Sequence, residues 1–198
     1  MLYLSIIFIT NLIVILVNLI LSVSGAVDFS MLRAVIVPPF LTVLVIIVDG
    51  VFAFVIRRLP EKWFSYESRL SKVSFAESDI YRRLGVRKYR EKIPELGCFT
   101  SFHKDRIYEP TNNEYLKRFI LEANYGAVIH FVCVPVGLLI LPTVSNAEML
   151  ISGLPVVIVN AVLNLLPAFV LRYNVPKLIN LMKINDRRRA RREGVTEE

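Results

Sequence analysis

Asp49, His130 and Asn164 are the residues of this chain best placed to do chemistry, because each interrupts a long apolar stretch and all three do so at the same depth. An ionisable or strongly hydrogen-bonding group in hydrocarbon is costly and as a rule faces a partner or a site. Arg57, Glu122 and Arg172 mark the ends of three apolar runs, and Asp49, His130 and Asn164 each stand eight positions inside the corresponding marker. At a helical rise of 1.5 Å per residue, each lies roughly 12 Å below the same interface. If the helices face one another, the three form one polar cluster. An imidazole can act as general base near neutral pH, a carboxylate can fix its tautomer and raise its basicity, and an amide can donate to a developing oxyanion. That equipment suits acyl transfer to a hydroxyl. The structural alternative is a hydrogen-bonded network tying helices together, at about 0.6 kcal/mol per contact.

Other polar residues carry less. Asn11 and Asn18 are seven positions apart, on one face of a helix, and are expected to pair with neighbouring helices. His103 falls in a charged segment, where a loop-packed or exposed histidine is the plain reading. Cys98 lies in that same segment and Cys133 inside an apolar run, so neither a disulfide nor a shared metal is expected. No metal and no cofactor is required by the residues present, and no glycine-rich phosphate loop appears. A histidine followed five residues later by aspartate, the mark of glycerol-phosphate acyltransferases, is also absent: Tyr108 follows His103 and Pro135 follows His130 at that spacing.

Four apolar windows must position these groups. With 55% hydrophobic residues and a mean hydropathy of +0.54, the chain is too apolar for a soluble fold of 198 residues. The apolarity collects in 2–23, 34–56, 119–141 and 149–171, each long enough to cross a hydrocarbon core about 30 Å thick. Ser22, Ser24 and Ala26 would suit a cleaved signal sequence, but no cation precedes the first run and it exceeds the usual apolar core of such signals, so a retained helix is expected. The expected fold is an all-α integral membrane protein, a single membrane domain over 1–198 with about four spans.

The cations set the orientation. Of 24 Lys and Arg, Arg33 lies in the first short loop, and the others fall between Arg57 and Arg118 or from Arg172 onward. Basic loops stay on the cytoplasmic side. Both termini and the 57–118 segment are therefore expected in the cytoplasm of a cell-membrane protein, with the loops around Asp28 and Ser145 outside. The formal +7 charge then reads as contact with anionic phospholipid headgroups or an anionic substrate, not nucleic acid. Within the central segment, 79–93 places Ile80, Leu84 and Tyr81, then Val86, Tyr89 and Ile93, among cations, the pattern of short interfacial amphipathic helices that Pro94 stops. The stretch after Pro176 reads similarly, with Leu178, Ile179, Leu181, Met182 and Ile184 ahead of the run from Arg187 to Arg192, a topology anchor.

The order of motifs resembles a known family. Leu59-Pro-Glu-Lys-Trp-Phe64 just after a span, Val86-Arg-Lys-Tyr-Arg-Glu-Lys-Ile-Pro94, Glu122 with His130 eight residues on, Asn164, and Arg172-Tyr-Asn-Val-Pro-Lys-Leu178 are similar to the acyltransferases named for glycosyl-diaponeurosporenoate, which act in carotenoid tailoring of the staphyloxanthin type. The similarity runs from about Arg58 to Arg188, with an added N-terminal span and Tyr89 where tryptophan is common. It implies transfer of a fatty acyl group from a thioester, such as acyl-CoA or acyl carrier protein, onto a sugar hydroxyl of a membrane glycolipid. It further implies roles for Arg87, Lys88, Arg106, Glu122, His130, Asn164, Arg172 and Asn174. With Asp49 added from its depth, His130, Asn164, Glu122 and Asp49 are the catalytic candidates. Arg87, Lys88, Arg106, Arg172 and Asn174 are the substrate-binding candidates, with Arg87, Lys88 and Arg172 as a rim for the donor's phosphates.

A second class of function fits the same charge pattern: a non-catalytic membrane protein that binds or moves anionic lipid through its basic inner face. His130 separates the two, since a binder tolerates a polar isostere there and a base catalyst does not. The topology has its own check. In a background lacking native cysteines, a cysteine replacing Ser145 should react with an impermeant maleimide applied to intact cells, and one replacing Ser101 should not. Equal labelling of both would overturn the four-span arrangement.

Overall fold

Long apolar runs satisfy their own backbone groups only as helices, and four such helices carry the chain. The computed structural model describes residues 2–90, 93 and 107–194; Cys98, Ser101, His103 and Arg106 lie outside the described residues. In chain order the elements are α1 (Leu2–Val23), α2 (Met31–Arg57), two 3-10 turns (Glu61–Trp63 and Arg69–Ser71), α3 (Phe75–Arg83), α4 (Val86–Tyr89) and α5 (Asn113–Val136). A 3-10 segment (Gly137–Thr143), the single turn α6 (Asn146–Glu148), a π-helical turn (Met149–Gly153) and α7 (Leu154–Gly194) follow. The protein is 83% helical with no strand among the described residues. Tyr3–Val23, Met31–Arg57, Asn113–Thr143 and Asn146–Arg192 are long and apolar enough to span a membrane. The all-α, four-span fold class therefore holds.

Two local expectations change. The fourth helix does not end near residue 171 but runs on through Pro167 and Pro176 to Gly194. A proline removes one backbone donor from a helix, a loss that neighbouring groups absorb in long apolar helices. Leu178 and Met182, expected at an interface, are instead 3% and 6% exposed, because α7 supplies them to a packed core. The 79–93 stretch is broken at Gly85, whose positive φ of 69° a side chain would resist. Tyr81 and Val86 turn inward there, while Ile80 and Leu84 stay exposed near Arg83, Arg87 and Lys88.

The described contacts divide between two compact units, to both of which α5 and α7 contribute. The first unit holds Met1–Ile56 and Ile129–Leu166. Its α1 leaves Leu4, Phe8, Leu12, Ile13, Leu16 and Ile20 exposed, as a lipid-facing helix must, and turns a polar face inward. Asn11 donates to Thr42 Oγ1 at 3.0 Å, and Asn18, 1% exposed, donates to Ser152 Oγ at 2.7 Å. The seven-residue spacing thus pins α1 to α2 at one level and to the π-helical turn at the other. Lipid gives helices no hydrophobic reason to associate, so close approach by small residues matters more. Gly153 shows this: a Cβ there would sit 2.8 Å from Leu141 Cδ2. Val37, Leu41 and Val45 of α2 pack on Ile140, Val156 and Val157. At the end of this unit carrying the short loops, Arg33 grips Glu148 with two hydrogen bonds, 2.5 and 2.7 Å, and Glu148 closes a capping box with Ser145.

The second unit holds Arg57–Val128 and Pro167–Glu198. Leu116, Phe119, Ile120 and Ala123, at helical spacing on α5, meet Val175, Leu178 and Met182 of α7. The loop after α2 folds onto α5: Phe64 stacks on Tyr125 at 3.8 Å between ring centroids, the Tyr125 hydroxyl donates to the Leu59 carbonyl at 2.8 Å, and Asn124 donates to the Phe64 carbonyl and to Ser71 Oγ, both at 2.8 Å. The motif Leu59 to Phe64 is thereby a scaffold for α5. Ser74 caps α3, accepting from the Glu77 amide at 3.1 Å.

Arg172 fastens α3 to α7. Its guanidinium gives a bidentate pair to Glu77, 2.8 and 2.9 Å, and a further bond to the Leu70 carbonyl. Burial pushes the Glu77 carboxyl up, but hydrogen bonds from Arg172 and Tyr81 and the Arg172 charge outweigh it, leaving Glu77 below its ordinary 4.5. Burial and the Glu77 carboxylate raise the Tyr81 hydroxyl, which stays protonated and donates to Glu77 at 2.6 Å. A carboxyl with a depressed folded value adds stability above its unfolded value and loses it as pH falls through the folded one. Thermal unfolding of the detergent-solubilised protein should therefore show stability falling as pH drops below 4.5, and Glu77→Gln should flatten that part of the profile while lowering stability at neutral pH. A profile identical to wild type would mean the pair contributes nothing.

Candidate active site

Asp49 on α2, His130 on α5 and Asn164 on α7 belong to the same unit, and hydrogen bonds join them in a chain. His130 Nδ1 lies 2.8 Å from Asn164 Oδ1, and Asn164 Nδ2 lies 3.1 Å from Asp49 Oδ2. Asn164 is 8% exposed. It was expected to donate to an oxyanion, with Asp49 acting on His130 directly. The structure puts the amide between the other two: Asp49 orients Asn164, and Asn164 orients the imidazole.

A fourth residue completes the chain. Asn164 Nδ2 is also 3.1 Å from both the backbone carbonyl and the side-chain oxygen of Asn160, one helical turn earlier. Asn160 in turn donates to the Cys133 carbonyl on α5 at 3.5 Å, and Cys133 Sγ is 3.8 Å from the Asp49 carbonyl. Asn160 was missed in the sequence although it stands four residues before Asn164, on the same helical face. Gly137 makes room for it: a Cβ there would lie 2.8 Å from Asn160 Nδ2.

The pattern of acceptors fixes the histidine tautomer. Three oxygens surround Asn164 Nδ2, so this atom must be the NH2, which turns the carbonyl oxygen to His130. An acceptor at Nδ1 requires the proton there, which makes Nε2 the basic nitrogen of the neutral ring. Asp49 Oδ1 is buried and takes no hydrogen bond among the described residues.

The remaining candidates lie in the other unit. Glu122, with a side chain 3% exposed, pairs with Arg57 at 2.8 Å and Arg118 at 2.9 Å, and Arg118 also reaches Glu61 at 3.6 Å. Arg57 sits over the Tyr125 ring at 5.5 Å. Glu122 is thus a charge hub holding the α2 end and the following loop to α5, a structural role where a catalytic one was expected. Arg172 is engaged by Glu77, so its fork positions α3 rather than offering a donor rim. Arg87 and Lys88 are exposed on α4, and Asn174 is half-buried beside the core residue Val175. Arg106 lies outside the described residues.

Fold and site together define a four-helix membrane protein carrying an imidazole held in one tautomer within its apolar helices. Residues 60–184 match the family model described as glycosyl-4,4'-diaponeurosporenoate acyltransferase, and the chain belongs to that family. No curated protein and no solved structure matches it. The protein is accordingly an acyltransferase, which decides against the non-catalytic alternative. His130, Asn160 and Asn164 fall inside the matched stretch, and Asp49 precedes it.

The tautomer can be read directly. Nitrogen-15 spectra of histidine-labelled protein at neutral pH should show His130 protonated at Nδ1, and Asn164→Leu should release that preference. A ring protonated at Nε2 in the wild type would overturn the assigned order of donors.

Proposed function

We propose that the protein transfers a fatty acyl group from an acyl thioester onto a sugar hydroxyl of a membrane glycolipid, a glycosylated carotenoid being the acceptor its family points to. The observation that carries this is the 2.8 Å bond from His130 Nδ1 to Asn164, which makes Nε2 the base. In the proposed step Nε2 takes the proton of the sugar hydroxyl as its oxygen attacks the thioester carbonyl. The tetrahedral intermediate collapses with cleavage of the carbon–sulfur bond, and the imidazolium returns the proton to the departing thiolate. The products are an ester and a free thiol. Asn164 and Asp49 act through His130 as positioning residues, since the Asn164 donors are directed to Asp49 and Asn160.

Exposed Arg87 and Lys88 are the groups proposed to meet anionic parts of the donor. The exposed cations from Arg187 to Arg191 on the last turns of α7 are proposed to rest on anionic headgroups of the inner leaflet. That fits a multi-pass protein of the cell membrane with both termini in the cytoplasm, the orientation the cation distribution favours.

At matched membrane levels, His130→Gln should lose transfer by about 10²-fold or more, because the amide keeps a hydrogen bond but cannot take the proton. Asn164→Ala should cost about 10- to 10²-fold, as expected for a group that orients another. Product would be quantified by mass spectrometry. A His130→Gln protein with near wild-type turnover would remove His130 as the base.

A further inference from the structure

Two cationic segments far apart in the chain meet in the second unit. Arg87 of α4 and Arg90, the residue that caps it, stand three positions apart and so share a face. The charges of both bear on Lys177 of α7. Lys177 Nζ lies 3.3 Å from the centroid of the Tyr173 ring, one helical turn earlier, so the ring face holds the ammonium in place. Both elements are anchored: Val86 is 0% exposed, and Val175 and Leu178, on either side of Lys177, belong to the core. Arg87 and Lys177 are exposed, and Arg90 and Tyr173 half-buried, so the cluster is open to a solute.

Elsewhere in this unit arginines are matched to carboxylates: Arg172 to Glu77, Arg57 and Arg118 to Glu122, and Arg82 and Arg83 to Asp79. Arg87 and Lys177 form no ion pair among the described residues. Like charges brought together repel, and an anion that accepts hydrogen bonds from all of them removes that cost. Three cations call for an anion of more than one charge. A phosphatidylglycerol headgroup carries one, as does the phosphopantetheine arm of a carrier protein. The CoA portion of an acyl thioester carries a diphosphate and a phosphomonoester, the latter close to doubly charged at neutral pH.

We infer that Arg87, Arg90 and Lys177, the last held over Tyr173, form the phosphate site for the donor, and that the donor is an acyl-CoA. The inference rests on the thioester-dependent reaction proposed above. Lys177 takes the place expected of Arg172, whose fork Glu77 occupies, as the cation that α7 offers to the donor. All four residues lie inside the stretch 60–184 that matches the family, whereas the run from Arg187 onward lies beyond it. The two cationic surfaces thus have separate duties, one toward the donor and the other toward headgroups.

The test places the full chain in phosphatidylcholine nanodiscs and measures binding of CoA by isothermal titration calorimetry. Lys177→Gln and Arg87→Gln should each weaken it by about tenfold or more, as loss of a hydrogen bond to a charged group does, while Lys177→Arg keeps most of the affinity. If one of the two glutamine variants fails to insert, the other decides. Unchanged CoA affinity in an inserted variant overturns the inference, and so does a wild type that binds no CoA. Phosphatidylglycerol retained by wild type in native mass spectrometry and lost from Lys177→Gln, with CoA affinity unchanged, assigns the cluster to a headgroup and overturns it too. The reaction itself is judged separately, by supplying wild type with a glycosylated carotenoid and either acyl-CoA or acyl carrier protein. Transfer from the carrier protein alone keeps the reaction and refutes the CoA site; transfer from neither removes the reaction and the site's role with it.

Discussion

A primary amide inside an apolar helix must find partners for two N–H donors and a carbonyl oxygen without help from water, and the way Asn164 does so governs the rest of the site. Its nitrogen faces Asp49 Oδ2 and two oxygens of Asn160, so its oxygen has one direction left, toward His130. That direction puts the proton on Nδ1, leaves the lone pair on Nε2, and ties α2, α5 and α7 at one level. The same bonds serve packing and chemistry. A network of this kind is weak as glue, at about 0.6 kcal/mol per contact, but strong as an orienting device, because reversing the Asn164 amide would set oxygen against oxygen at three contacts.

As it is for Glu148 with Arg33 in the first unit, charge in the second unit is handled by pairing. Its carboxylates Glu122 and Glu77 are each matched to arginines, Glu122 to Arg57 and Arg118 and Glu77 to Arg172. Buried ion pairs contribute less stability than geometry, since desolvation offsets much of the attraction. Here the geometry is the point: the pairs decide where the loop after α2 and the helix α3 meet α5 and α7. The family motifs around Leu59 and Arg172 are therefore built into the frame, while Arg87 and Lys88 of α4 are exposed.

What the sequence revealed and what it hid divide along physical lines. Spans were legible because hydrocarbon thickness imposes a length that no other environment demands, and the depth of Asp49, His130 and Asn164 was legible because helical rise is constant. The pairing of Asn11 and Asn18 with neighbours followed from their spacing. The order of the chain from Asp49 through Asn164 to His130 did not, since depth cannot say which of three residues at one level lies between the others. Arg172 and Glu122 looked like functional cations and acids because their partners Glu77, Arg57 and Arg118 are set by tertiary contact. Asn160 had a signal, its four-residue spacing from Asn164; the space Gly137 leaves for it had none. The continuation of α7 through Pro176 was hidden because proline is a stop signal in water-exposed helices and a tolerated one where neighbouring packing holds the helix.

The family match begins at residue 60, after α1 and α2, yet the carboxylate that orients Asn164 comes from before that point. His130 and Asn164 thus lie in the part this chain shares with its family, while Asp49 lies in the part outside the match. Such a division has a physical rationale. The bond between His130 and Asn164 depends on particular atoms in a particular orientation, so it tolerates little change. Facing lipid needs only apolar surface, which helices can supply with many side-chain combinations. A helix such as α1, anchored by Asn11 and Asn18 and otherwise facing lipid, can vary in its apolar side chains without touching the bond between His130 and Asn164.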